Sequence, residues 1–112
     1  MIKQIGVVGA GQMGAGIAQV AAVNGFSVVL SDVGDTFLDN GMGRIQKSLS
    51  ILVKKDRINE EEKNTALGRI ATTVDIKALE SVDFVVEAVI ENESLKLDTD
   101  ATLHYLTEKK GL

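Results

Sequence analysis

With 45% apolar and 25% charged side chains, this chain of 112 residues has the composition of an ordinary globular domain, long enough to bury one core and too apolar for disorder. A formal charge of −4 argues against a nucleic-acid partner, because phosphate binding needs a Lys and Arg surplus on one face. The absence of cysteine excludes disulfides, a thiolate nucleophile and cysteine-ligated zinc, and no apolar run approaches the ~18 residues of a membrane span. Met1 leads straight into a strand-like Ile-Lys-Gln-Ile with no signal-peptide pattern, so the expected location is the cytoplasm.

Ile5 to Val8 is a short apolar run closed by glycines, the pattern of a strand buried on both faces. Ile17, Val20, Ala21 and Val23 then recur at helical spacing up to Asn24-Gly25, a stop signal with glycine at the left-handed position. Val28 to Leu30 is a second buried strand, ending at Ser31-Asp32. From Asp35 to Lys55, Leu38, Met42, Ile45, Leu49 and Leu52 mark one face of a long helix, which Gly41 and Gly43 locally weaken. Asn59 caps the next helix, with Glu62 three residues on as its reciprocal partner, and Gly68 ends it. Ile70 to Thr73 and Phe84 to Ala88 read as the third and fourth strands, with a helical turn around Lys77 to Leu79 between them. Asn92 caps a last helix whose apolar positions, Leu97, Ala101 and Leu106, are sparse. The order β-α-β-α-α-β-β-α predicts a mostly parallel sheet with helices on its faces, in one domain over residues 1–112.

Between the first strand and first helix lies Gly9-Ala10-Gly11-Gln12-Met13-Gly14, a full G-x-G-x-x-G. Gly9 permits the tight turn, Gly11 lets the backbone approach a pyrophosphate, and Gly14 lets the helix pack closely on the strand. The anion then meets free amides and the positive end of the helix dipole. A packing turn without a ligand is the competing explanation, and glycine-rich turns are common. Two features favour a dinucleotide: the hexapeptide joins a strand to a helix, and the second strand ends in Asp32, eighteen residues after Gly14. A carboxylate there accepts hydrogen bonds from ribose hydroxyls and repels a 2′-phosphate, and Val33-Gly34-Asp35 supplies no arginine against it. The expected cofactor is therefore NAD rather than NADP. The fold class expected is α/β, a Rossmann-type doubly wound parallel sheet, incomplete at about four strands in the order 3-2-1-4.

"IKQIGVVGAGQMGAGIAQVAA" followed by "VVLSD", "RIQKSL", "IATTVD" and "DFVVEAVIEN" resembles the N-terminal domain of 3-hydroxyacyl-CoA dehydrogenases, and is most similar to the bacterial 3-hydroxybutyryl-CoA type. The likeness covers Ile2 to about Leu97. Other β-hydroxyacid dehydrogenases share a Gly-x-x-Met-Gly stretch, and the long second helix with Ser48 and Lys55 favours the acyl-CoA family over them. The resemblance implies an oxidoreductase of fatty-acid or butanoate metabolism that interconverts 3-hydroxyacyl-CoA and 3-oxoacyl-CoA. It implies that Gly9 through Gly14 hold the cofactor pyrophosphate and Asp32 its adenosine ribose. Glu91 and Lys96 match family positions near the nicotinamide end, and Ser48 and Lys55 match positions that touch coenzyme A. Seven residues on a helix return within ~20° of the same face, so Ser48 and Lys55 could meet one ligand. Lys54 and Arg57 add positive charge nearby; the alternative is a solvated helix end with favourable lysines. Glu87 interrupts an apolar strand, and a structural or cofactor-adjacent role is favoured for it over a catalytic one.

Residues 98–112, "DTDATLHYLTEKKGL" from Asp98, depart from the family pattern as read from its motifs. The family's His/Glu acid–base dyad and its substrate-side serine and asparagine are not matched. His104, the one histidine, stands in the wrong context to replace the dyad. No catalytic residue and no metal ligand is therefore assigned, and the expectation is cofactor binding with negligible turnover by this chain alone. The expected partners are NAD(H), an acyl-CoA at a partial site, and a second copy through the strand edge at residues 84–90. A non-catalytic nucleotide-binding module and a different β-hydroxyacid dehydrogenase are the alternatives.

Overall fold

The computed structural model describes residues 3–88. They form β1 (Gln4–Val8), α1 (Gln12–Val23), β2 (Ser27–Ser31), α2 (Asp35–Lys54), α3 (Glu60–Gly68), β3 (Ile70–Thr73), a 3-10 helix (Ile76–Ser81) and β4 (Phe84–Glu87). All strand pairings are parallel and the sheet order is β3-β2-β1-β4, as the alternating pattern predicts. The expected final helix capped by Asn92, with Lys96 and His104, and the expected cofactor residue Glu91 before it lie outside the described residues. So do the last two positions of the expected edge at residues 84–90.

The strands alternate in the way a sheet covered on both faces requires. Ile5, Val7, Val28, Leu30 and Ile70 meet α1, α2 and α3, where Ala18, Ala22, Leu38, Ile45 and Leu49 complete the larger core. Val8, Val29 and Val85 point to the opposite face, beneath Leu79 and Val82 of the 3-10 helix and its exit. The small alanines of α1 let that helix lie close to the sheet. The bulkier stripe of α2 packs outside it. The crossover from β3 to β4 carries the chain from one side of β1 to the other, leaving β1 between β2 and β4. Asp83 anchors the arrival: its Oδ2 accepts from the Lys3 and Gln4 amides at 2.8 and 2.9 Å.

The helix ends follow local chemistry. Asn59 and Glu62 form the expected capping box, with the Glu62 amide donating to Asn59 Oδ1 at 2.7 Å and the Asn59 amide to Glu62 Oε1 at 3.1 Å. The end of α2 is a Schellman turn, in which the Arg57 amide donates to the Leu52 carbonyl at 2.9 Å and the Asp56 amide to Val53 at 3.0 Å. Asp56 holds the left-handed position of that turn at φ 56°. At the end of α1, Arg69 Nη1 donates to the Ala22 carbonyl at 2.7 Å, placing a cation at the negative end of the helix. No helix among the described residues is long and apolar enough to cross a membrane.

Candidate functional site

Parallel pairing brings the carboxyl ends of all four strands to one rim. Val8 lies in register with Ser31 on one side and Glu87 on the other, and Ser31 with Thr73. Everything that leaves the sheet at this rim is tied down. The Gly9 amide donates to the Ser31 carbonyl at 2.8 Å, the Ala88 amide to Val8 at 2.8 Å, and the Asp32 amide to Thr73 at 3.3 Å. The space between β1 and β4, where the crossover direction reverses, is the switch point at which open α/β sheets bind ligands.

The glycine loop has the geometry its sequence implies. Gly9 turns out of β1 at φ 103°, a left-handed conformation that favours glycine. A Cβ on Gly14 would overlap the Gly9 carbonyl oxygen, so only glycine lets α1 start this close to the strand end. Gly11, the N-cap of α1, has φ −71° and ψ −168°, which any residue adopts; its backbone conformation does not demand glycine. No side chain caps α1 and no acid lies in its first turn. The amides of Gln12 and Met13, at a helix start, therefore have no side-chain acceptor, while both side chains are exposed.

Asp32 does more than its sequence position suggests. Its Oδ2 accepts from the Ala10 amide at 2.7 Å and its Oδ1 from the Val33 amide at 2.7 Å. The carboxylate thus bridges the end of β2 to the middle of the glycine loop. Each oxygen retains lone-pair capacity for a further donor. Ala10 is buried, and its amide is committed to Asp32; its part in the loop is to brace it from beneath. The brace continues into α2, where a Cβ on Gly41 would lie 2.7 Å from the Ala10 carbonyl oxygen and 3.0 Å from its Cβ. Helix propensity alone marks Gly41 as a weakness in α2. The close approach of a second helix to the loop is the reason it is there, and no local signal in the sequence carries that contact.

Glu87 ends β4 at the rim with its side chain exposed, so the carboxylate is solvated rather than buried in the strand. Ser48 and Lys55, expected on one helix face, differ in exposure. Ser48 is half-buried in a groove between α1 and α2, whereas Lys55 is the exposed C-cap of α2 and does not line that groove. Among the described residues no cluster of His, Cys, Asp and Glu could hold a metal ion.

The chain matches the family model of the 3-hydroxyacyl-CoA dehydrogenase, NAD binding domain, over residues 4–112. That span includes residues 98–112, which the motif reading places outside the resemblance. A probable 3-hydroxybutyryl-CoA dehydrogenase of Deinococcus radiodurans is 45% identical over 109 residues, covering 97% of this chain and 39% of that protein. A 3-hydroxybutyryl-CoA dehydrogenase of Bradyrhizobium diazoefficiens is 46% identical over 96 residues, covering 86% of this chain and 33% of that protein. Among solved structures, (S)-3-hydroxybutyryl-CoA dehydrogenase from Ralstonia eutropha superposes with a TM-score of 0.87 at 38% identity, covering 95% of this chain and 38% of that one. The chain spans between a third and two-fifths of the length of these relatives.

Proposed function

This chain belongs to the 3-hydroxyacyl-CoA dehydrogenase family as an NAD-binding domain, and on that premise we propose that it is the cofactor half of an enzyme interconverting 3-hydroxyacyl-CoA and 3-oxoacyl-CoA. The observation that carries the reading is the start of α1, whose first-turn amides have no side-chain acceptor, after a loop whose Ala10 amide donates to the Asp32 carboxylate at the sheet rim. The names of the relatives, which are 3-hydroxybutyryl-CoA dehydrogenases, support the acyl-CoA substrate class.

The residues present fit the cofactor. In this reading the amides from Gly11 to Gly14 receive the diphosphate, and the helix dipole favours its charge. Gly9 and Gly14 shape the turn, Ala10 supports it, and Asp32 accepts from the adenosine ribose hydroxyls with its remaining lone pairs. Val33, 52% exposed, and the neighbouring Asp35 offer nothing to a 2′-phosphate, which favours NAD over NADP. Glu91 and Lys96 act at the nicotinamide end, and Ser48 and Lys55 on coenzyme A. NAD+, when bound, would supply the acceptor for the hydride at C3 of the 3-hydroxyacyl group. The protein must then take the hydroxyl proton, and no histidine lies among the described residues to do so. With the family's His/Glu dyad unmatched in the sequence, the chain alone is expected to bind the cofactor and to turn substrate over negligibly. Exposure of Phe84 on β4, the terminal strand among the described residues, supports self-association along that edge, which sedimentation at rising concentration tests.

Calorimetric titration of the chain with NAD+, NADH and NADP+ tests the cofactor reading. The expected result is saturable heat with both NAD forms and at least about tenfold weaker binding of NADP+. No heat with either NAD form overturns the function, and equal affinity for NADP+ overturns the cofactor preference. Measurable reduction of acetoacetyl-CoA by the chain alone overturns the absence of turnover.

A further inference from the structure

Cysteine is absent from this chain, so its sulfur is confined to three methionines, Met1, Met13 and Met42. A peroxide therefore meets no thiol, and the thioethers are the sulfur it can oxidise. Exposure selects between them. Met13 is 56% exposed, whereas Met42 is half-buried on α2 and packs against the larger core. Met1 lies outside the described residues. Met13 is also the second residue of α1, and its own amide is one of those at the helix start with no side-chain acceptor. Its side chain lines an open groove along the flank of α1, where Ile5, Ile17, Val20 and Phe26 are its apolar neighbours. One residue thus joins an accessible thioether to the free donors of the glycine loop.

We propose that Met13 is a redox-sensitive modification site: a peroxide converts its thioether to the sulfoxide, and the sulfoxide closes the glycine loop to the dinucleotide. The inference rests on the cofactor reading above and goes beyond it. In the step, the sulfur lone pair attacks one peroxide oxygen, an S–O bond forms and the O–O bond breaks. Sulfur is oxidised by two electrons, and hydrogen peroxide is reduced and leaves as water. The product carries a polar acceptor where the side chain had almost none. Among Ile5, Ile17, Val20 and Phe26 the new oxygen finds no side-chain donor, whereas the amides at the start of α1 are open. It stands where the amide oxygen of a glutamine at this position would stand, and the unbranched side chain has the freedom to turn back to its own helix start. An acceptor there engages the donors assigned to the diphosphate and sets a partial negative charge against it. Reduction of the sulfoxide reopens the loop, so the modification is reversible.

The experiment treats the chain with hydrogen peroxide, removes the excess, locates the added oxygen by tandem mass spectrometry and titrates with NADH. Met13 is expected to gain oxygen before Met42. NADH affinity should then fall about tenfold, the loss of one charge-assisted hydrogen bond, and methionine sulfoxide reductase should restore it. Met13→Leu should bind NADH equally before and after treatment, while Met42→Leu should respond as the native chain does. Met13→Gln, which carries its oxygen without oxidation, should bind NADH more weakly than Met13→Leu. Oxidation of Met42 ahead of Met13 overturns the proposal, and so does a loss of affinity that persists in treated Met13→Leu. Equal NADH binding by the treated and untreated native chain overturns the closure and leaves the cofactor reading standing. An untreated chain that binds no NADH overturns the cofactor reading and the closure with it.

Discussion

Replacing Gly41 by alanine sets two effects against each other, and a neighbouring glycine measures each alone. A Cβ at Gly41 would stand 2.7 Å from the Ala10 carbonyl oxygen and 3.0 Å from the Ala10 Cβ. Favourable carbon contacts lie near ~3.5–4 Å, so α2 or the glycine loop must retreat by at least roughly half an ångström. Neither obstacle is a flexible side-chain tip, and the Ala10 amide is held by Asp32 Oδ2 at 2.7 Å. Overpacking of this kind costs about 1–3 kcal/mol. Alanine in a helix interior recovers about 1 kcal/mol relative to glycine, leaving Gly41→Ala between unchanged and about 2 kcal/mol less stable. Gly43, in the same helix, meets nothing within 4 Å, so Gly43→Ala retains only the gain. The difference between the two variants is then the clash itself, about 1–3 kcal/mol, which at about 4–8 °C per kcal/mol separates their melting temperatures by on the order of 4–24 °C. Scanning calorimetry of both measures that gap, and a fluorescence titration with NADH reads the loop. Displacement of Ala10 should weaken NADH about tenfold in Gly41→Ala and leave Gly43→Ala at the native value. Equal melting temperatures together with equal NADH affinities would refute the reasoning.

Gly14→Ala should abolish NADH binding and lower the melting temperature, because its Cβ overlaps the Gly9 carbonyl oxygen and α1 cannot start where it does; native-like titration of that variant would contradict the close-packing role. Asp32→Asn removes the negative charge and one of the two acceptors that hold the Ala10 and Val33 amides. NADH affinity should fall about tenfold, with a smaller penalty for NADP+ now that repulsion of the 2′-phosphate is gone, and an unaltered NAD-to-NADP affinity ratio counts against the ribose assignment. Asn59→Ala dismantles the capping box of α3 and should cost about 1 kcal/mol, read as a drop of about 4–8 °C in thermal unfolding. A shift below 1 °C would mean that the box contributes nothing measurable.

Much of this molecule was legible in the order of its residues because the relevant physics is local. Strand and helix periodicity places the elements, and Leu38, Ile45 and Leu49 can be named as core before any fold is known. On α1, by contrast, the periodic Val20 and Val23 are exposed, and Ala18, Ala21 and Ala22 face the core instead. The Asn59–Glu62 box depends on residues three apart. The glycine loop and Asp32 belong to one β-α-β unit whose short connections leave few alternatives, and the parallel order follows from the alternation of elements.

Tertiary structure alone decided which distant groups share a space. The Asp32 carboxylate closes on the Ala10 amide across 22 residues of chain, so the residue proposed to read the ribose also builds the loop. Gly41 is a flaw by helix propensity and a necessity by packing, because α2 crosses over Ala10. Ser48 is half-buried against α1 while Lys55, at the Schellman turn that ends α2, is exposed, a difference that helix periodicity alone does not give. Hydrogen-bond reach and van der Waals contact depend on a few tenths of an ångström between elements. Periodicity along a chain sets the faces those elements present, and only their packing sets the distances.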